Sequence, residues 1–410
     1  MKGFTTKALH TRAPKRDPHG ALRTPVYDSV AFEFESAEEI QRAFQGQLAA
    51  HTYTRISNPT VEDFEERVRV LADAYGVLAV SSGMAAISNV ILTLAGSGTN
   101  IVAGRFLYGN TVSLFSRTLR AWGLEARFVD ATDPRAVEGA MDENTRAIFI
   151  EAITNPQLEV PDVARIAAIS QKHGVPLIVD GTLTTPYIFK SKEFGASVEV
   201  ISSTKYISGG ATTVGGLIID NGTFDWRRAP ALAEIAERFG PSAFLMRLRR
   251  EVFRNLGASL SPHNAYLQTL GLETLALRID RSCQNALHLA RFLKEHPKVR
   301  SVNYPGLEDS PYHEIARRQF HGRYGGLLTF ELESRDACFR LMDSLRIIRR
   351  ATNLNDNKTL IIHPASTYLS EYSPEERRAM NVSDEMLRLA VGIEDLEDLV
   401  EDLSQGLANV

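Results

Sequence analysis

Residues 200–216, VISSTKYISGGATTVGG, deliver one lysine from an apolar run into a stretch of hydroxyls and glycines. A lysine at the end of a buried strand is costly to keep charged. Desolvation lowers its pKa and favours the neutral amine that can form an imine with a carbonyl. Lys205 is therefore a candidate covalent anchor, and the hydroxyls of Ser202 and Thr204 could bind a phosphate beside it. On its own the segment fits a surface lysine in a glycine-rich loop nearly as well. Residues 177–180, LIVD, end an apolar run on a carboxylate. Ligands of open α/β sheets gather at the carboxyl ends of strands, where Asp180 would sit and could keep a ring nitrogen protonated. A lone Asp after a strand is more often a cap or turn residue, and only its pairing with Lys205 lifts it above that. Ser82, Gly83 and Met84 stand between an apolar run and an apolar helical segment. Backbone N–H groups at such a helix start bind anions, although a plain serine cap has the same sequence.

These segments need elements that bring them to one place. Short apolar runs at 77–80, 100–103, 127–129, 147–150, 176–179, 198–201 and 216–219 alternate with helical segments, which predicts an α/β fold with a mostly parallel sheet and helices on both faces. From Leu272 a long helix is predicted, with Leu272, Leu275, Ile279, Cys283, Ala286, Ala290 and Leu293 as its core stripe. Later strands at 327–331 and 387–393 suggest a smaller α+β unit. The expected division is an arm over 1–60, ending near Asn58-Pro59, a large domain over 61–255 and a C-terminal domain over 256–410.

Composition excludes several classes. With 46 basic against 50 acidic residues, nothing advertises nucleic acid or anionic lipid as a partner. Residues 74–104 carry no charged side chain, but serines, asparagines and glycines interrupt them, which suits a strand, a turn and a packed helix better than a membrane span. Cys283 and Cys338 lack close-spaced companions, so neither a disulfide framework nor a metal site is expected. Residues 1–10 lack the order of a signal peptide, and a cytoplasmic location is expected. A nicotinamide oxidoreductase finds support only in Gly96-Ser97-Gly98, and Ile101 stands where the third glycine belongs. A silent scaffold would leave Lys205, Asp180 and Arg388 together unexplained.

Taken together, these segments resemble the Cys/Met metabolism family of fold type I pyridoxal-phosphate enzymes, from Tyr27 to Leu403. The resemblance implies that pyridoxal 5′-phosphate is attached at Lys205 and that Asp180 faces its ring nitrogen. Ser82, Gly83, Met84, Ser202 and Thr204 would bind its phosphate. It also implies that Tyr108, in Tyr-Gly-Asn-Thr, stacks on the ring and assists proton movement, and that Asn155 contacts the phenolic oxygen. Tyr53 and Arg55 would reach the phosphate of a neighbouring subunit, so the implied assembly is a homotetramer of dimers with shared active sites. Arg388, in LRLAVG, would grip the substrate α-carboxylate from a half-buried strand, with Asn353 nearby. Read without the family, Tyr108 is a core aromatic, Asn155 an Asn-Pro turn, Tyr53 and Arg55 exposed arm residues, and Arg388 a rim ion pair.

Within the family, residues 211–216 and 220–226 look like the O-acetylhomoserine sulfhydrylase branch. Asn110 stands where methionine γ-lyases usually carry cysteine. The implied reaction is γ-replacement on an O-acylated homoserine, with sulfide or another sulfur donor giving homocysteine. A cystathionine or methionine γ-lyase and a cystathionine γ-synthase are the alternatives. Gly181 departs from a common Asn, Gly210 from a frequent His, and Asn353 from Ser or Gly, which leaves the leaving group and the donor open. A sulfur carrier protein is among the possible donors.

Overall fold

The computed structural model describes residues 3–11 and 17–410; the remaining positions of the expected arm lie outside the described residues. Seven strands form the larger sheet: β1 (Gly76–Val80), β2 (Asn100–Gly104), β3 (Glu125–Val129), β4 (Thr145–Glu151), β5 (Leu177–Asp180), β6 (Val198–Ile201) and β7 (Gly216–Asp220). Their order is β1-β7-β6-β5-β4-β2-β3, parallel except where β7 runs antiparallel to both β1 and β6. Each expected run is found within a residue or two.

Neighbouring residues along these strands belong to different apolar clusters. Val77 and Ala79 join one cluster while Leu78 and Val80 join another, and Ile148 and Ile150 part from Ala147 and Phe149 in the same way. Both faces of the sheet are therefore covered, and the strands read as continuous apolar runs because neither face meets water. The uncharged stretch folds as β1, the helix Gly83–Leu94 and β2. Among the described residues no helix is long and apolar enough to cross a membrane.

A second sheet follows, built from β8 (Ser301–Asn303), β9 (Leu327–Glu331), β10 (Arg349–Arg350), β11 (Leu360–Ile362) and β12 (Met386–Ala390) in the order β10-β11-β12-β9-β8. It packs with the helices Leu275–Glu295, Arg335–Ser344 and Leu396–Ala408 around its own core.

Two expectations need correction. The single long helix from Leu272 is two helices, Pro262–Glu273 and Leu275–Glu295, which meet at Thr274. The apolar stripe from Leu272 to Leu293 is nonetheless buried throughout, because both helices turn the same side inward. The strand carrying Arg388 is not half-buried: all five residues of β12 are buried, since it lies between β11 and β9 in the middle of its sheet.

Candidate active site

The carboxyl ends of β4, β5 and β6 open into a cavity of about 380 Å³, within the size range of about 300–1,000 Å³ usual for small-molecule sites. One wall is the start of the helix Gly83–Leu94. Ser82 caps it, its hydroxyl accepting from the Ala85 N–H at 3.1 Å while its carbonyl accepts from Ala86. Gly83 and Met84, in the first turn, line the cavity, so their N–H groups lie at the positive end of the helix beside open space. A Cβ on Gly83 would come within 2.7 Å of the Ser202 Cβ, and one on Gly216 within 2.1 Å of the Ser82 carbonyl oxygen. The serine loop, the end of β6 and β7 can approach this closely only because those two side chains are absent.

Lys205 lies in the turn that follows β6, four residues beyond its last strand residue rather than at the strand tip. The turn is held by Ser202 and Gly209, whose backbone groups bond those of Lys205. Its next residue is moored elsewhere: Arg278 donates to the Tyr206 carbonyl at 2.7 Å, and the Gly326 N–H donates to the Tyr206 hydroxyl at 2.8 Å. Burial lowers the pKa of the Lys205 amine and the nearby Arg388 cation adds to the effect, against a smaller opposing pull from Asp356. The amine donates to Oδ1 of Asn353 at 2.7 Å. Nδ2 of Asn353 donates in turn to the Asp356 carboxylate at 3.0 Å, which fixes the amide so that its oxygen faces the lysine. Asn353, expected near the substrate carboxylate, thus meets the lysine first.

Three adjacent strands carry acids. Asp180 ends β5 on the cavity wall, and burial pushes its pKa up to about 6 against the pull of Thr182, whose N–H donates to Oδ1 at 2.9 Å. Glu151 ends β4 opposite it in register. Burial raises its pKa well above the usual carboxylate range, and the Asp180 charge adds to the rise. Its Oε1 accepts from the Tyr108 N–H at 2.6 Å. Glu151 was not among the expected site residues, although its apolar run ending in an acid is the same signal that marked Asp180. On β6, Glu199 is buried with its pKa pushed up to about 8 by desolvation, and it accepts from Ser191 at 2.6 Å. A Cβ on Gly181 would lie 2.1 Å from Glu199 Oε1. The glycine after Asp180 is therefore the counterpart of this acid.

The opposite wall comes from the smaller sheet. Arg388 is 3% exposed. It donates through Nη1 to Oδ1 of Asn155 at 3.2 Å and through Nη2 to the carbonyls of Thr352 and Asn353, each at 3.2 Å. It is no rim ion pair. Tyr108 lines the cavity but is 43% exposed, so it is not a core aromatic. Thr204 lines the cavity with its hydroxyl already engaged by the Gly215 peptide at 3.1–3.2 Å, and Ser202 lies beside it. Tyr368, another wall residue, carried no sequence signal. Tyr53 and Arg55 do not line this cavity. Arg55 stacks over the Tyr53 ring at 5.5 Å and donates to the Arg254 carbonyl. Cys283 and Cys338 are unpaired and buried, and among the described residues no cluster of His, Cys, Asp and Glu could hold a metal.

Residues 5–408 match the family model described as Cys/Met metabolism PLP-dependent enzyme. The chain is 52% identical to the structure of an O-acetylhomoserine sulfhydrylase from Wolinella succinogenes, with a TM-score of 0.78, covering 86% of this chain and 99% of that one. A structure from Campylobacter jejuni that carries N′-pyridoxyl-lysine-5′-monophosphate at its position 205 superposes with a TM-score of 0.94 at 35% identity, over 98% of this chain and 99% of that one. The L-methionine gamma-lyase of Pseudomonas putida is 38% identical over 99% of this chain and 98% of its own length.

Proposed function

The chain belongs to the Cys/Met metabolism family of pyridoxal-phosphate-dependent enzymes, and from that membership we propose that it carries out γ-replacement on O-acetyl-L-homoserine. Sulfide, or a larger sulfur donor such as a sulfur carrier protein, takes the place of acetate and homocysteine results, as a step toward methionine or cysteine. The observation that carries the choice of reaction is the 52% identity to a protein named O-acetylhomoserine sulfhydrylase, against 38% to one named L-methionine gamma-lyase. Asn110 supports the same choice over a methionine γ-lyase, because methionine γ-lyases usually carry cysteine there, and neither cysteine of this chain lines the cavity.

The residues on the cavity wall fit the cofactor. Asp180 has no cation among its hydrogen-bond partners in the described residues, which suits a carboxylate meant for a protonated ring nitrogen. The closely packed glycines and the helix start beside Ser202 suit a phosphate. When bound, pyridoxal phosphate supplies an electron sink for the pair left behind as a proton leaves the carbon that carries the amine.

The chain's residues would do the rest. Lys205 would hold the cofactor through its amine. Once the substrate amine replaces it, the lysine would be free to take and return protons at the substrate carbons, and its lowered pKa favours the neutral amine that this needs. Asp180 would keep the ring nitrogen protonated, and a neutral Glu151 beside it would avoid a second negative charge there. Ser82, Gly83, Met84, Ser202 and Thr204 would hold the phosphate. Tyr108 would cover the ring, Asn155 would meet its phenolic oxygen and Arg388 would take the substrate carboxylate. Asn353 would hold the amine of Lys205 when it is free.

Tyr53 and Arg55 would serve the phosphate of a neighbouring copy in a homotetramer of two dimers. Leu22, Val30 and Phe44 in the same arm are exposed apolar side chains, which supports burial of this segment against another copy. A cytoplasmic location is part of the proposal, supported by two buried thiols that remain unpaired.

Product analysis tests the reaction. With O-acetyl-L-homoserine and sulfide, homocysteine and acetate should form in equal amounts, and L-methionine should be left intact. Release of a 2-oxo acid and ammonia from methionine without any sulfur acceptor would replace this reading with a lyase.

A further inference from the structure

Two polar atoms on the cavity side of the smaller sheet are left over. The Nε of Arg388 and the hydroxyl of Tyr368 are both buried and neither makes a well-aligned hydrogen bond among the described residues, although the two groups lie close enough for each to act on the other's ionisation. Elsewhere on the guanidinium, Nη1 donates to Asn155 and Nη2 to the carbonyls of Thr352 and Asn353. Those contacts use three of the five N–H groups, hold the planar group still and leave Nε–H and one N–H of Nη1 unused. Tyr368 follows the short turn Pro364–Ser366, lines the cavity and covers the guanidinium, its ring centroid 5.3 Å from Cζ.

A buried donor without a partner is costly, so an unused pair on one wall signals a ligand that completes it. Arg388 Nε–H can only donate, and a phenol beside a fixed cation is best used as a donor too. Two donors next to each other, one of them charged, call for an anionic acceptor with two oxygens, which is a carboxylate.

We propose that Tyr368 is a second ligand of the substrate carboxylate, its hydroxyl donating to one oxygen while Nε–H of Arg388 donates to the other. The inference rests on the assignment of Arg388 to the carboxylate and adds to it a residue outside the strand. The tyrosine ring covers the guanidinium and keeps water from competing for the carboxylate. Preference for an amino acid over the corresponding amine then depends on both side chains.

The test is equilibrium binding to the holoenzyme, followed by the change in its visible absorbance, of L-norvaline, which has no leaving group, and of n-butylamine, which is norvaline without its carboxylate. Tyr368→Phe removes one oxygen and keeps the ring over Arg388. It should weaken norvaline binding about tenfold or more, as loss of a charge-assisted hydrogen bond does, and leave butylamine binding unchanged. Equal loss for both ligands, or no loss for either, overturns the inference. Arg388→Lys and Arg388→Gln separate it from the reading beneath it. If they weaken norvaline binding while Tyr368→Phe does not, Arg388 stands and Tyr368 falls; if they leave norvaline binding intact, the carboxylate lies elsewhere and both assignments fail.

Discussion

Asp402 and Asp180 are acids of the same type in opposite circumstances. Asp402 lies on the C-terminal helix beside the smaller sheet and is 3% exposed. Desolvation acts to raise its pKa, but the N–H groups of Arg346, Ile347 and Ile348 donate to it at 2.8–2.9 Å and hold it below the usual value. Among the described residues Asp180 receives the Thr182 N–H as its one backbone donor, and burial wins. The first carboxylate is saturated by its own chain and ties a loop to a helix. The second has capacity left over, as do Arg388 Nε and the Tyr368 hydroxyl across the cavity. Unspent hydrogen-bonding capacity marks the site only where it faces the cavity, because Asp220 at the end of β7 is also buried with an unpartnered oxygen yet lies away from it.

The strongest attack on this contrast is Lys205→Ala. Turnover should fall by roughly a thousandfold or more, and the borohydride-reducible cofactor link should vanish from the mass spectrum, while the cofactor-free protein stays folded with little change in melting temperature, since the side-chain bond lost is the one to Asn353. An adduct that persists in the variant would move the attachment to another residue.

Asp180→Asn comes next, with turnover falling roughly a hundredfold or more. Its stability effect runs the other way in the cofactor-free protein. The folded pKa of about 6 exceeds the ordinary 3.8. The acid therefore carries no ionisation penalty below pH 4, acquires it between pH 4 and 6, and bears it in full above. Asparagine escapes that penalty, so in urea titrations the variant should gain on the wild type from pH 4 to pH 7. A difference that stays flat with pH would show that Asp180 is as well satisfied as Asp402.

Asp402→Asn should give the smallest catalytic effect. Stability should fall by about 1–3 kcal/mol and turnover per folded molecule should not change. Because its folded pKa is lowered, the stabilisation is present above the ordinary 3.8 and disappears as pH falls through the folded value. A loss of turnover without loss of stability would erase the distinction between the two aspartates.

Much of this was legible in the residues. The seven strands of the larger sheet were readable because burial on both faces leaves uninterrupted apolar runs, and Asp180 and Lys205 stood out where two of those runs stop. Glu151 bears the same mark, but its run flows into a loop whose Asn155-Pro156 pair is the stronger local signal. Tyr368 could not be read. It lies in an irregular segment, and its part in the wall depends on the packing of β12, which no local pattern encodes. The break at Thr274 escaped for a related reason: the apolar stripe continues across it, so periodicity alone registers one helix. Gly181 carries no local signal either, because what it makes room for is Glu199 on the neighbouring strand.

Tyr206 shares a peptide bond with Lys205, yet its hydroxyl is bound to Gly326 at the head of β9 and its carbonyl to Arg278 on the helix Leu275–Glu295. Lys205 belongs by chain order to the larger sheet, while the residue next to it is bonded to elements that pack with the smaller one. A shift of the smaller sheet against the larger one would reach Lys205 through these two bonds on the adjoining residue and through its own bond to Asn353, so the width of the cleft and the position of the amine are coupled.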